Sequence, residues 1–562
     1  MAVKAIRRGL LRVSSLSRIV VLLLGLRSAD LDTDTFLRTT QVVDRVQVFI
    51  SHSWQADPWL KVLALCFEMN LVLAVKASCL TYLITSLALL QAAGGITSPS
   101  ARTVLTDSPW TLPLTLDLPM LVFFTTFFFG HWMTQEIWTP RIWFDKACIN
   151  QADVEQQEEV VTAIPEIVKR SSCLLVLLDE TFLGRLWCNL ELATFAKSHS
   201  DPDALHIVPL WLPAWFFCSL LCEWLVARLS IFAWLQSIAL SSGLGYTPKS
   251  DLDFIVNGVL VAVLMAVGHA PSVLVAAFSF TARIEQCDVM LDQFGTFDVR
   301  CSECGVTEDR PKLHSQIARL FDEIDDPPIS VEIEVPVNAR CERAEVAEES
   351  SELLQLLREP SVRQLTTYPT EEDCFNLFNT YVRQDLCAKV TRDVAGKAQM
   401  RYGVALLVFL PNVFWLVTYE YLQCERAGCD EIAEAYGAHS FIEYILFGLP
   451  WLGLFLMIVS PLTLPAMLHA LAWLHVLPIW RPWKIMLAFV IGPVVDICVF
   501  VLGGCVYGFI QSLLVQQFSP SRLVQTFLVV TAFMLPWSMV FFECKLFRKW
   551  LLRFHSRCAG FT

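Results

Sequence analysis

The sequence predicts a polytopic α-helical membrane protein that also carries a small parallel α/β sheet, and three observations predict it. Apolar side chains make up 55% of the 562 residues and charged ones only 17%, with a mean hydropathy of +0.52, too apolar for an ordinary water-soluble domain. Several stretches reach the roughly 20 apolar residues that a helix needs to span hydrocarbon, where every backbone polar group must be bonded internally. Between the first of them, polar segments alternate short β-rich runs with helical periodicity, the pattern of a parallel sheet with crossover helices.

Residues 1–43 are basic at the start: Lys4, Arg7, Arg8, Arg12 and Arg18 accompany the short apolar run 19–26, with no acid before Asp30. Three readings fit, a cytosolic stretch lying on anionic lipid, an uncleaved anchor or signal-like segment, and a transit peptide. Residues 44–70 begin the sheet. VQVFIS at 46–51 reads as a strand, His52 and Ser53 as its turn, and Asp57 followed by Pro58 as a helix start, an N-cap before a proline whose missing N–H costs nothing in the first turn. That helix carries Leu60, Leu63, Ala64 and Phe67 and runs on into a membrane hairpin at 71–135, with spans at 71–90 and 114–130.

Residues 136–212 resume the soluble pattern. IWFD at 142–145 is a strand, 153–170 an amphipathic helix with Val160, Val161, Ile164 and Val168 on one face, and CLLVLL at 173–178 a strand buried on both faces; 186–197 is the next helix and 206–212 the next strand. Two spans inserted after the first helix return the chain to the side it left, so both halves can build one sheet.

Further spans are expected at 213–240, interrupted by Glu223 and Arg228, and at 254–280, with an acidic α+β segment at 281–400 between them and the last group. In that segment 331–337 alternates like an edge strand, and Thr370 with Asp373 forms a capping box opening a helix with Cys374, Leu377, Phe378, Tyr381 and Val382 on one stripe. Residues 401–545 hold spans at 402–422, 441–460, 485–510 and 523–542, with 462–479 either a span or a re-entrant segment. The tail 546–562 adds to a cluster of Lys545, Arg548, Lys549, Arg553 and Arg557, which places it in the cytosol; the acidic loop 424–438, whose Cys424 and Cys429 are either disulfide-bonded or free thiols, belongs on the opposite face.

Four blocks in order, FISHSW at 49–54, IWFDKACINQ at 142–151, the buried strand ending at Asp179 and WCNLE at 187–191, resemble the signature blocks of the TIR (Toll/interleukin-1 receptor) domain; the second also resembles the fungal heterokaryon-incompatibility (HET) domain. The resemblance implies a flavodoxin-like fold, cytosolic signalling by self-association or by pairing with other TIR-like domains, and, in many members, NAD as a substrate cleaved at its nicotinamide bond. Glu191, four residues after Trp187, matches the family's catalytic glutamate. A fixed carboxylate there would stabilise an oxocarbenium-like ribose, as in glycoside hydrolysis. By the same resemblance Ser51, His52, Ser53, Asp145, Lys146 and Trp187 would line the substrate cleft, beyond the carboxyl ends of the strands. Taken only as helix and strand-end residues, Glu191 also reads as a solvated or salt-bridged carboxylate, Trp187 as core packing and Asp145 as a loop cap. The chain departs from the family in lacking proline and glycine after Asp145 and in passing from Leu212 straight to Pro213 and the membrane, without the last strand and helix.

A net charge of -13 argues against nucleic acid as a partner and leaves the lipid bilayer and other protein domains. Cys301 and Cys304, near Cys287 and His314, fit no common zinc spacing, so no metal is assigned. Asp496 lies mid-span after Gly492 and Pro493 and marks either an ion or proton path or a paired carboxyl at a helix contact. It is the main support for the competing function class, a channel or transporter with a cytosolic α/β sensor.

Overall fold

A computed structural model describes residues 11–25, 38, 40–92, 110–134, 140–150, 154–243, 251–322, 370–394, 400, 402–414 and 462–516. The strand expected at 331–337, the spans at 441–460 and 523–542, the loop with Cys424 and Cys429, and the basic tail lie outside them. The chain divides into two compact units, one of Met1–Val62, Glu136–Leu210 and Met290–Val390, the other of Leu63–Gln135, Trp211–Val289 and Thr391–Thr562.

The first unit is built on the sheet. Strands β1 (Arg12–Val13) and β2 (Gln41–Val42) form a small antiparallel pair, and helix α1 (Leu16–Leu23) lies between them in sequence. Four further strands, β3 (Val46–His52), β4 (Ile142–Trp143), β5 (Ser171–Leu178) and β6 (Leu205–Pro209), form a parallel sheet in the order β4-β3-β5-β6. Counting only these four, the order is second, first, third, fourth, so the direction of winding reverses beside β3. β3 precedes the helical insertion and β4 follows it, yet Val48 pairs with Ile142 and Phe49 with Trp143, whose rings stack at 4.3 Å. β3 and β5 are buried along nearly their whole length, which is why their sequences are apolar at successive positions rather than alternating.

Strand ends differ from the sequence reading where a side chain or proline stops the ladder. The strand expected to include Phe144 and Asp145 stops at Trp143, and Asp145 instead opens a short helix spanning Asp145–Cys148; its Oδ1 accepts a hydrogen bond from the Lys146 amide at 2.6 Å. β6 ends at Pro209, which has no N–H to give, and a long helix begins at Trp211. The helices Val154–Lys169 and Leu186–Ser198 follow the expected bounds closely and pack together. Described residues of the N-terminal segment form protein core: Leu11, Val13, Leu16, Ile19 and Val20 are buried, and Ser14 bridges Ile142 through two backbone hydrogen bonds of 2.8 and 3.1 Å. Leu16, Ile19, Val20 and Leu23 of α1 thus pack against protein.

Residues from Met290 to Val390 belong to the same unit. Helix Arg310–Leu320 packs on Leu186–Ser198, and the capping box of Thr370 and Asp373 opens Glu371–Tyr381. Cys374, Phe378 and Val382 are buried as expected, whereas Leu377 is exposed and Asn379 takes an inward place. Asn379 is satisfied there, because its Oδ1 accepts from the Val299 amide and its Nδ2 donates to Asp298.

The second unit is helical. Among the described residues five helices are long and apolar enough to cross a membrane: Pro58–Leu89, Pro113–Met133, Trp211–Leu229, Ala266–Gly295 and Arg481–Gly503. Together they fit a multi-pass membrane protein. Val72, Leu83, Ile84, Leu87, Met486 and Val490 face outward, as lipid-facing side chains do. Thr463–Val476, at 14 residues, is about 21 Å long and falls short of the roughly 30 Å of hydrocarbon. The polar interruptions have partners. Asn70 donates to the Phe127 carbonyl at 2.9 Å, Ser78 to that of Pro119 at 2.8 Å, and Arg228 pairs with Asp117, which also accepts from Trp224 Nε1.

Candidate functional site

The carboxyl ends of β3 and β5, where the winding reverses, are where open parallel sheets bind ligands. β3 ends in Ser51 and His52, and Ser53 follows; all three are buried. Helix Leu186–Ser198 brings Glu191 to this end, and the Ser51 hydroxyl donates to Glu191 Oε2 at 2.5 Å. Burial pushes the Glu191 carboxyl up to about 8; the Ser51 hydrogen bond opposes that shift and the Asp145 charge adds to it. The protonated form of Glu191 is thus favoured at neutral pH.

His52 stacks on Phe144 at 4.7 Å, and its Nε2 lies 3.9 Å from Asp145 Oδ1, too far for a hydrogen bond. Burial, with Lys61 and Lys146 nearby, holds the imidazole down to about 4 despite the opposing Asp145 charge, so it is neutral. Among the described residues its Nε2 has no hydrogen-bond partner, nor has Asp179 Oδ1 just past the end of β5, and both atoms are buried. Buried polar atoms are normally paired, so both are positioned for a partner supplied from outside. The Thr181 hydroxyl lies 2.6 Å from both Ser53 Oγ and Asp179 Oδ2. It has one proton, and giving it to the carboxylate leaves it to accept from Ser53.

Lys146 sits with its Nζ 4.6 Å from the centre of the exposed Trp54 ring. Lys61, only 3% exposed, is within electrostatic reach of Lys146, Asp145 and Asp179. The cleft therefore combines two ammonium groups, three carboxyls and an aromatic plate. Such a set can bind an anionic group on one side and hydroxyls on the other. The thiols are not nucleophiles: burial raises Cys188 well above the usual range and Cys148 to about 12, and Cys188 Sγ donates to the His52 carbonyl.

The structure thus brings together Ser51, His52, Ser53, Asp145, Lys146 and Glu191. Trp187 is half-buried on the first turn of its helix and, among the described residues, takes part in none of the cleft's ring stacks or hydrogen bonds. Lys61, Asp179 and Thr181 escape the sequence reading as site residues. A signal for Lys61 was present, since it shares a helical stripe with the buried Ala64 and Leu65. Asn189, inside the WCNLE block, is structural: its Nδ2 donates to the Leu183 carbonyl and to Ser302 Oγ, tying residues 302–303 to the start of the helix. Among the described residues no group of three or more His, Cys, Asp or Glu is placed to hold a metal ion.

No protein-family model matches the chain, and no curated protein or solved structure does either.

Proposed function

We propose that the sheet unit is a flavodoxin-like, TIR-like signalling domain on the cytosolic side of a multi-pass membrane protein, and that it works by self-association and by cleaving NAD at the nicotinamide bond. The observation that carries this reading is the Ser51–Glu191 hydrogen bond at the point where the sheet reverses its winding. The sequence motifs that resemble the family support it, because they converge on this one cleft. Lys61 and Lys146 suit the pyrophosphate, Trp54 offers a face for a base, and the Asp145, Asp179 and Glu191 carboxyls suit ribose hydroxyls.

In the reaction the ribose C1′–N bond breaks with its electron pair going to nicotinamide, and water adds to C1′ and gives up a proton. Glu191 acts only when ionised. The positive charge of bound NAD near C1′ favours loss of its proton, and the resulting carboxylate stabilises the developing oxocarbenium. The test is nicotinamide release from NAD by the full chain in liposomes at rising protein-to-lipid ratio. Release per chain should rise with density, because the domain acts in assemblies. Absence of release at every density would remove the enzymatic part, and absence of cross-linked dimers at high density would remove self-association.

A further inference from the structure

The helical unit contains a polar cluster that the sheet unit's chemistry does not use. Glu223, His269, Ser272, Asn412 and Asp496 are each between 1% and 7% exposed, on four different helical segments. His269 is at the centre, with Nε2 2.9 Å from Glu223 Oε2 and Nδ1 3.4 Å from Asp496 Oδ1. Phe409 and Phe500 flank its ring, at 5.5 and 5.7 Å. Glu223 also accepts from Asn412 Nδ2 at 2.8 Å and from the Ser272 hydroxyl.

Proton counting limits what this cluster can be. A neutral imidazole has one N–H and cannot donate to two carboxylates. Either His269 is doubly protonated between two carboxylates, or it is neutral and one carboxyl carries the proton. Both arrangements leave the three groups with a net charge of -1, a costly state among apolar helices. One further proton neutralises them.

The hydrogen bonds decide where that proton rests. Among the described residues Glu223 already accepts from three donors, whereas Asp496 has one longer contact, to His269. Other titratable groups nearby are Cys222, which adjoins Glu223 and Ser272, and His469 and His475 on the helix that packs against the one bearing Asp496. His475 is engaged with Asp288 at 3.3 Å. Gly492, one turn before Asp496, lets the helices meet: a Cβ there would stand 3.1 Å from Ala277 Cβ and 3.4 Å from Met467 Sδ. Pro271 and Pro493 lie within three residues of His269 and Asp496 and interrupt both helices' hydrogen bonding.

We propose that Asp496 is the proton-binding carboxylate of a site inside the membrane unit, with Glu223 and His269 as its fixed ion pair and the proton exchanging with solution. Infrared pH-difference spectroscopy on the full chain in liposomes tests this. All samples carry Glu191→Gln, which removes the sheet-unit carboxyl raised to about 8. Raising the pH should abolish one protonated-carboxyl C=O band per chain. Asp496→Asn should lack that band, Asp496→Glu should retain it at a shifted frequency, and His269→Gln should move the pH at which it disappears. Persistence of the band in Asp496→Asn, or no titrating band in the parent and in Asp496→Glu, would overturn the proposal. Loss of the band on adding sodium at constant pH would overturn it in favour of a cation site.

Discussion

Glu191 and His52 meet in one cleft, and burial moves their proton affinities in opposite directions. Glu191 is raised to about 8, so the folded protein holds a proton that the unfolded chain releases above the usual carboxylate range. Its contribution is present at low pH and is lost as the pH rises toward and through 8. His52 is lowered to about 4, so the unfolded chain takes up a proton that the folded protein refuses, and stability falls as the pH drops below about 6.5. The two slopes oppose each other between about pH 4.5 and 6.5, and from there to about 8 the Glu191 slope remains without that of His52. Thermal melting of the wild type should therefore decline between pH 7 and 8, and Glu191→Gln should flatten that decline; an unchanged slope in the variant would contradict the assignment. Ser51, His52, Ser53, Asp145, Lys146 and Glu191 were legible as a site because they lie inside short motifs. Thr181 was not, because its role arises from packing between elements far apart in sequence; Lys61 and Asp179 carried weaker signals, a helical stripe and a strand end.

Among the elements, the pairing of β3 with β4 matters most, because it joins chain segments on either side of the helical insertion. Phe49 is fully buried against Trp143 at this pairing. Phe49→Ala should destabilise the sheet unit by about 3–5 kcal/mol, as large aromatic truncations in cores do. Hydrogen exchange at β3 and β5 amides would read that loss, and exchange in Trp211–Leu229 should change less. A second contact between elements is the tie from Asn189 to Ser302. Asn189→Ala should cost about 1–3 kcal/mol and speed exchange at the Leu186 and Glu303 amides, which are hydrogen-bonded to the Glu303 and Gly184 carbonyls. The strands of the parallel sheet and the helices between them were legible from periodicity, with errors at boundaries, whereas β1, β2 and helix Arg310–Leu320 were not. IWFD reads as a strand because all but the last residue are strand formers, yet Asp145 turns the chain into a helix. Residues 1–43 leave three readings open because arginine beside an apolar run is ambiguous until the partner of the apolar face is known.

For the whole chain, a sheet that takes β3 from before the helical hairpin and β4 from after it requires the hairpin to cross an even number of times. Single cysteines placed at the exposed Asp44 and Asp201, in a chain without other reactive thiols, should be labelled by an impermeant reagent from the same side of sealed vesicles. In a separate variant that keeps Cys429 as its one reactive thiol, label should come from the opposite side. Labelling of the first two from different sides would contradict the shared sheet. This shared sheet sets Ser51, from one side of the insertion, against Glu191, from the other, and the proposed function makes that pair the centre of an NAD-cleaving cleft. The most direct measurement is nicotinamide release by wild type and Glu191→Gln at equal density in liposomes, with folding of both checked by melting. The account predicts that the variant folds, still binds nucleotide and loses activity by about 10²–10³-fold, the cost of removing one electrostatic stabiliser. Equal activity in the two proteins would contradict it.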